Sequence, residues 1–127
     1  MGATTITKTV VTRNAATNVP TAATVAKDGG ALVTFDKDDQ KILLLLKNNV
    51  SNATHTAVIK AGNGLQGVSD LEITLTGTDT TAGNEKAIVI ESGRYVNVSG
   101  DNKGKVNIVS KDATTGDQIE VRAIVLP

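Results

Sequence analysis

The clearest pattern in the chain is Leu71-Glu72-Ile73-Thr74-Leu75, a strict alternation of apolar and polar positions. Successive side chains of a β-strand point to opposite faces, so Leu71, Ile73 and Leu75 are expected on a core face and Glu72 and Thr74 in water. Residues 41–47 behave differently, because Ile42-Leu43-Leu44-Leu45-Leu46 runs without a polar break. Such a run implies a central strand buried on both faces. It places Leu43 and Leu45 in the core together with Ile59, Leu71, Ile73, Val89 and Val121.

The other segments read as short strands between turn signals. Threonine and valine dominate residues 5–12, and their branched Cβ atoms favour a pleated backbone, so one strand is expected there. Further extended pieces are expected over residues 21–26, 31–35, 54–61, 85–91, 105–110 and 118–126, with a short one carrying Tyr95, Val96 and Val98. Turn chemistry separates them at Lys27-Asp28-Gly29-Gly30, Asp36-Lys37-Asp38-Asp39, Asn48 to Asn52, Gly62 to Asp70, Gly77 to Asn84 and Ser99-Gly100-Asp101-Asn102. No stretch carries a capped helical period. Roughly seven to nine strands at this spacing predict an all-β fold, a small antiparallel β-sandwich, with immunoglobulin-like and jelly-roll strand orders both open. One domain is expected over residues 1–127, with residues 1–30 either an extended arm or an edge-strand segment.

Charge and composition narrow the function. Thirteen basic residues balance thirteen acidic ones in 127, so no long-range field favours nucleic acid or an anionic membrane. Aromatic residues are 2% of the chain, Phe35 and Tyr95, which leaves no stacking platform for bases or sugars. The absence of cysteine removes disulfides, thiolate metal sites and thiol nucleophiles. The N-terminus does not read as a secretory signal, and the longest apolar run is far short of the roughly 20 residues that span a bilayer. Neither a nucleic-acid nor a membrane partner is expected.

Each candidate motif has a plainer reading. Gly62-Asn63-Gly64-Leu65-Gln66-Gly67 matches G-x-G-x-x-G, but a dinucleotide site also needs a helix N-terminus next, and an alternating strand follows instead. A glycine-rich loop turning at Asn63-Gly64 is preferred. Asp36, Asp38 and Asp39 lack the central glycine and distal glutamate of a calcium loop and read as a solvated turn. His55 is the only histidine, which excludes a multi-histidine metal site. A triad around it would need Ser51, Ser69, Ser92, Ser99 or Ser110 nearby, and none sits in a nucleophile elbow. His55 is expected to make ordinary hydrogen bonds on a strand or surface. Three Asn-x-Ser/Thr matches, at Asn49, Asn52 and Asn97, are expected by chance in a chain this rich in Asn and Thr. No cofactor, metal or catalytic residue is assigned, and the chain is not expected to be an enzyme.

A family resemblance runs through these strand patterns. Thr5-Ile6-Thr7-Lys8-Thr9-Val10-Val11-Thr12-Arg13, then Ala22-Ala23, Asp28-Gly29-Gly30 and Lys41 to Asn48, resemble the N-terminal half of small tailed-phage virion proteins. Thr56 to Gly62, Ile88 to Tyr95 and Val121 to Pro127 are similar to their later segments, while the Gly77 to Asn84 loop is longer than the tight turn expected there. The resemblance is to head decoration proteins, auxiliary subunits that coat an assembled capsid. It implies a non-enzymatic virion structural protein at the capsid surface, present in the host cytoplasm during assembly. Its implied partner is the major capsid protein of a tailed phage, with a homo-oligomer of the chain itself as a further partner. The alternatives are a tail or other self-assembling subunit and, remotely, a small hydrolase using His55. Partner contacts are sought at Thr5, Thr7, Lys8 and Arg13 in the N-terminal segment, and at Arg94 and Tyr95, since Arg and Tyr are common interface anchors.

Overall fold

The computed structural model describes residues 3–27, 29–36, 41–80 and 82–127. Its strands are β1 (Thr4–Thr5), β2 (Lys8–Val10), β3 (Ala23–Thr24), β4 (Ala31–Thr34), β5 (Ile42–Asn48), β6 (His55–Ile59), β7 (Leu71–Leu75), β8 (Glu85–Val89), β9 (Lys105–Ser110) and β10 (Ile119–Val125). One helical turn, α1 (Ser92–Tyr95), and a 3-10 segment, Ala113–Gln118, complete the described elements. Two sheets pack face to face, one ordered β1-β4-β9-β6-β7 and the other β2-β10-β5-β8 with β3 also paired to β10.

The strand order settles which sandwich this is. From β3 onward the strands pair from the outside of the chain inward: β3 with β10, β4 with β9, β5 with β8 and β6 with β7, each antiparallel. A long hairpin wound in this way, its pairs divided between two sheets, is the jelly roll. The winding gathers the connections at two opposite ends. Among the described residues, segments 25–27, 29–30, 49–54, 76–80, 82–84 and 111–118 form one end, and segments 35–36, 60–70 and 90–104 the other.

The N-terminal segment closes one side. The single strand expected over residues 5–12 is split into β1, parallel to β4, and β2, parallel to β10, so the chain starts on one sheet and crosses to the other. These two pairs make both sheets mixed rather than purely antiparallel. The crossing works because Ile6 is buried between the sheets while Thr5 and Thr7 point to solvent. Lys8 seals the seam, its ammonium donating to the Thr34 carbonyl at 2.7 Å and to Asp36 Oδ2 at 2.6 Å.

The core lies between the sheets. In β5 the face toward the other sheet is Ile42, Leu44, Leu46 and Asn48, all fully buried. The expectation for Leu43 and Leu45 is therefore corrected: they sit half-buried on the outer face. A sandwich buries one face of each sheet, so a continuous apolar run marks an inner position in the sheet and not double burial. Ile59 and Val121 are fully buried, and Leu71 and Ile73 face the core but stay half-exposed because β7 is an edge strand. Val89, on the edge strand β8 and opposite Leu43, is exposed instead of buried. The strand expected at Tyr95 is the turn α1, closed by the Val96 amide donating to the Ser92 carbonyl, and it directs Tyr95 into the core.

Candidate recognition surface

The end formed by 60–70 and 90–104 is built from loops locked to one another. Asp70 closes the neck of the first loop, accepting from the Ala61 amide at 2.7 Å and the Lys60 ammonium at 2.8 Å. The amide bond foremost, and then the Lys60 bond, hold its carboxyl below the usual carboxylate range. Asn63 staples the loop to its neighbour: its Oδ1 accepts from the Val98 amide at 2.7 Å and its Nδ2 donates to the Ser99 carbonyl at 3.1 Å. The Gly62 amide donates to the Arg94 carbonyl at 2.9 Å.

This packing explains the G-x-G-x-x-G pattern. A Cβ on Gly67 would collide with the Gly62 carbonyl, so the spacing records backbone on backbone and not a phosphate cradle. The turn is also two residues later than Asn63-Gly64. It closes between the Gly67 amide and the Gly64 carbonyl, at 3.1 Å, and carries Leu65-Gln66 at its tip. Leu65 is 105% exposed, and Val68 and Val98 beside it are 79% and 58% exposed. Next to this tip lies an open cleft of about 710 Å³ whose apolar lining is Phe35, Leu65, Val96 and Val98, with Lys103 at its wall. That size falls within the roughly 300–1,000 Å³ typical of ligand pockets.

The residues proposed from sequence fare unequally. Arg94 is exposed at this end, but Tyr95 is 8% exposed and belongs to the core, so it is corrected from interface anchor to packing residue. Thr5 and Thr7 are exposed on the closed side and Arg13 in the connection after β2. Lys8 is exposed only 16% along its side chain and is spent on the seam, which removes it as a contact residue. Asp38 and Asp39, two of the three carboxylates considered for calcium, lie outside the described residues. No group of three metal-ligating side chains occurs among the described residues.

The opposite end holds the buried polar groups. Asn48, fully buried, donates from Nδ2 to the carbonyls of Ala53 at 2.7 Å and of Leu75 and Thr76 at 3.2 Å, and accepts from the Val50 amide at 3.1 Å. His55 does not make the ordinary hydrogen bonds expected of it, since its Nε2 is buried without a partner, as is Ser110 Oγ. Both line a cleft of about 290 Å³ with Asp112. Asp112 is engaged locally there. Its Oδ1 accepts from Thr114 Oγ1 at 2.7 Å and from the Thr114 amide at 3.1 Å, bonds that lower its pKa and cap the following 3-10 segment. No hydrogen bond joins His55 to Ser110 or to Asp112 among the described residues.

Sequence reasoning missed Leu65, because one leucine inside a polar, glycine-rich loop carries no periodic signal. It missed Asn48 because the residue ends a strand and was read as the start of the turn. Set against known protein families, curated proteins and solved structures, the chain matches none. What fold and surface define is a class: a jelly-roll β-sandwich with a hydrogen-bonded, apolar-tipped loop end.

Proposed function

We propose that the protein is a non-enzymatic virion subunit that binds the outer surface of a tailed-phage capsid lattice through its 60–70 and 90–104 loops. The observation that carries the binding role is Leu65, fully exposed at the tip of a turn held by the Asn63 staple and the Asp70 clamp. A leucine left in water contributes nothing to its own fold, and burying it in a partner is worth about 1.5–3 kcal/mol. Because the loop is already locked, little ordering entropy opposes docking. The capsid as partner rests on the resemblance of the strand segments to decoration proteins. Neutral net charge suits many identical copies on one lattice, where repetition supplies avidity.

The test is co-sedimentation of the purified chain with preformed capsids of the phage that encodes it. Saturable binding that changes little between about 50 and 300 mM salt is expected, because the balanced charge leaves no dominant field to screen. Failure to bind capsids at any salt concentration contradicts the reading.

A second reading, self-assembly, is favoured by one feature. Val89, Leu43 and Ile124 stand in one cross-strand row on the outer face of the second sheet, next to the free edge of β8. Concentration-dependent polymerisation of the isolated chain in sedimentation velocity supports that reading, and a monomer at about 100 μM rejects it.

A further inference from the structure

The cleft beside Leu65 has its own chemistry. Its wall is apolar through Phe35, Val96 and Val98, and its one charged lining residue among the described residues is Lys103. Among the described residues no carboxylate lines it. Elsewhere some of the surface cations are paired, Lys27 with Asp117, Lys60 with Asp70, Lys111 with Glu72 and Arg122 with Glu85. Lys103, and Arg94 next to the lining residue Gly93, have no ion-pair partner among the described residues.

We infer that this cleft is a receptor for an aliphatic side chain flanked by a carboxylate, presented by a loop of the partner protein. The contact is then two-way. Leu65 enters the partner while the partner's aliphatic group enters the cleft, its carboxylate resting on Lys103 with Arg94 close by. Charge complementarity selects this occupant: an uncharged apolar loop would leave Lys103 desolvated and unpaired at the cleft wall, at a cost a carboxylate removes. The inference deepens the proposed docking and rests on it for the identity of the partner, though the cleft can be probed without one.

The probe is N-acetyl-L-leucinate, which carries the aliphatic group and the carboxylate together, followed by amide chemical shifts of the full chain. Millimolar binding is expected, with the largest shifts at Val96, Val98, Lys103 and Gly104. N-acetyl-L-leucinamide, which lacks the charge, is expected to bind about threefold more weakly, the scale of one exposed ion pair. Lys103→Glu should abolish the difference between the two probes while leaving the melting temperature unchanged, and it should weaken capsid co-sedimentation. Equal binding of both probes, or shifts that fall elsewhere on the molecule, overturns the inference even where capsid binding by the unaltered chain stands. Loss of capsid binding by the unaltered chain itself overturns the proposed function and leaves the probe result to decide the cleft's chemistry.

Discussion

The two ends of this sandwich handle polar and apolar groups in opposite ways. At the end of 60–70 and 90–104, backbone and side-chain polar groups are tied off by Asn63 and Asp70, and aliphatic side chains are left in water. At the end of 49–54 and 111–118, apolar groups are covered and polar ones are buried, with Asn48 fully bonded and His55 Nε2 and Ser110 Oγ without partners. An exposed leucine costs a fold little, whereas a buried orphan hydroxyl costs about 1–3 kcal/mol. Energy at the first end therefore goes into shape, while the second end holds strands and connections together at some expense. The lesson is that a locked frame with spare apolar surface points outward to a partner, and buried polar saturation points inward to stability.

The largest effect should come from the stabilising end. Asn48→Ala leaves three carbonyls and the Val50 amide without their side-chain partner. A loss of about 3 kcal/mol in chemical denaturation is expected. A loss under about 1 kcal/mol would mean that water replaces the amide and that this end is not a structural staple.

Next in size is Gly67→Ala. Its Cβ meets the Gly62 carbonyl, so the backbone of the Leu65 turn must move. Overpacking of this kind costs about 1–3 kcal/mol, and partner binding should fall further than stability does. Unchanged stability would show that the loop is softer than its packing implies.

Ser110→Ala sharpens the contrast from the other side. Removing an unpaired buried hydroxyl should be neutral or stabilising by up to about 1 kcal/mol, and clear destabilisation would reveal a partner for Ser110. The corresponding His55→Ala change should leave capsid binding intact, since His55 lies at the far end.

The smallest effect is local. Asp70 has a folded-state pKa below its unfolded value near about 3.9, so its contribution is fully present above that value and is lost as pH falls through the lower, folded one. Hydrogen exchange of the Ala61 amide, normalised for its intrinsic pH dependence, should stay protected from pH 7 down to about 4 and lose protection below. Protection that already fails near pH 6 would assign the neck clamp to another group.

How much of this was legible depended on whether the signal was periodic. The alternation in residues 71–75 and the blocks at 105–110 and 118–126 locate β7, β9 and β10 within a residue, because strand period and turn chemistry are local properties. Strand order was not local, so the jelly roll emerges only from the pairing. In Ile42 to Leu46 every position is apolar, so the pattern could not tell the face of Leu44 from that of Leu45. The crossing at Ile6 was hidden for a related reason, since Thr-Ile-Thr-Lys-Thr-Val alternates equally well in one sheet or across two. The recognition end was the least legible part: its glycines imitate a nucleotide motif, and exposure of Leu65 follows from a turn position that no residue spacing sets.

The most direct test of the account compares two aspartate substitutions at exposed apolar sites. Leu65 is at the recognition tip, and Val19, 69% exposed, lies in the connection that follows β2. Both Leu65→Asp and Val19→Asp should keep stability within about ±0.5 kcal/mol, because neither side chain is in the core. Capsid co-sedimentation at saturating protein should then be lost for Leu65→Asp and retained for Val19→Asp. Equal binding by the two variants, or selective loss with Val19→Asp, would contradict the claim that the locked Leu65 end is the surface this protein uses.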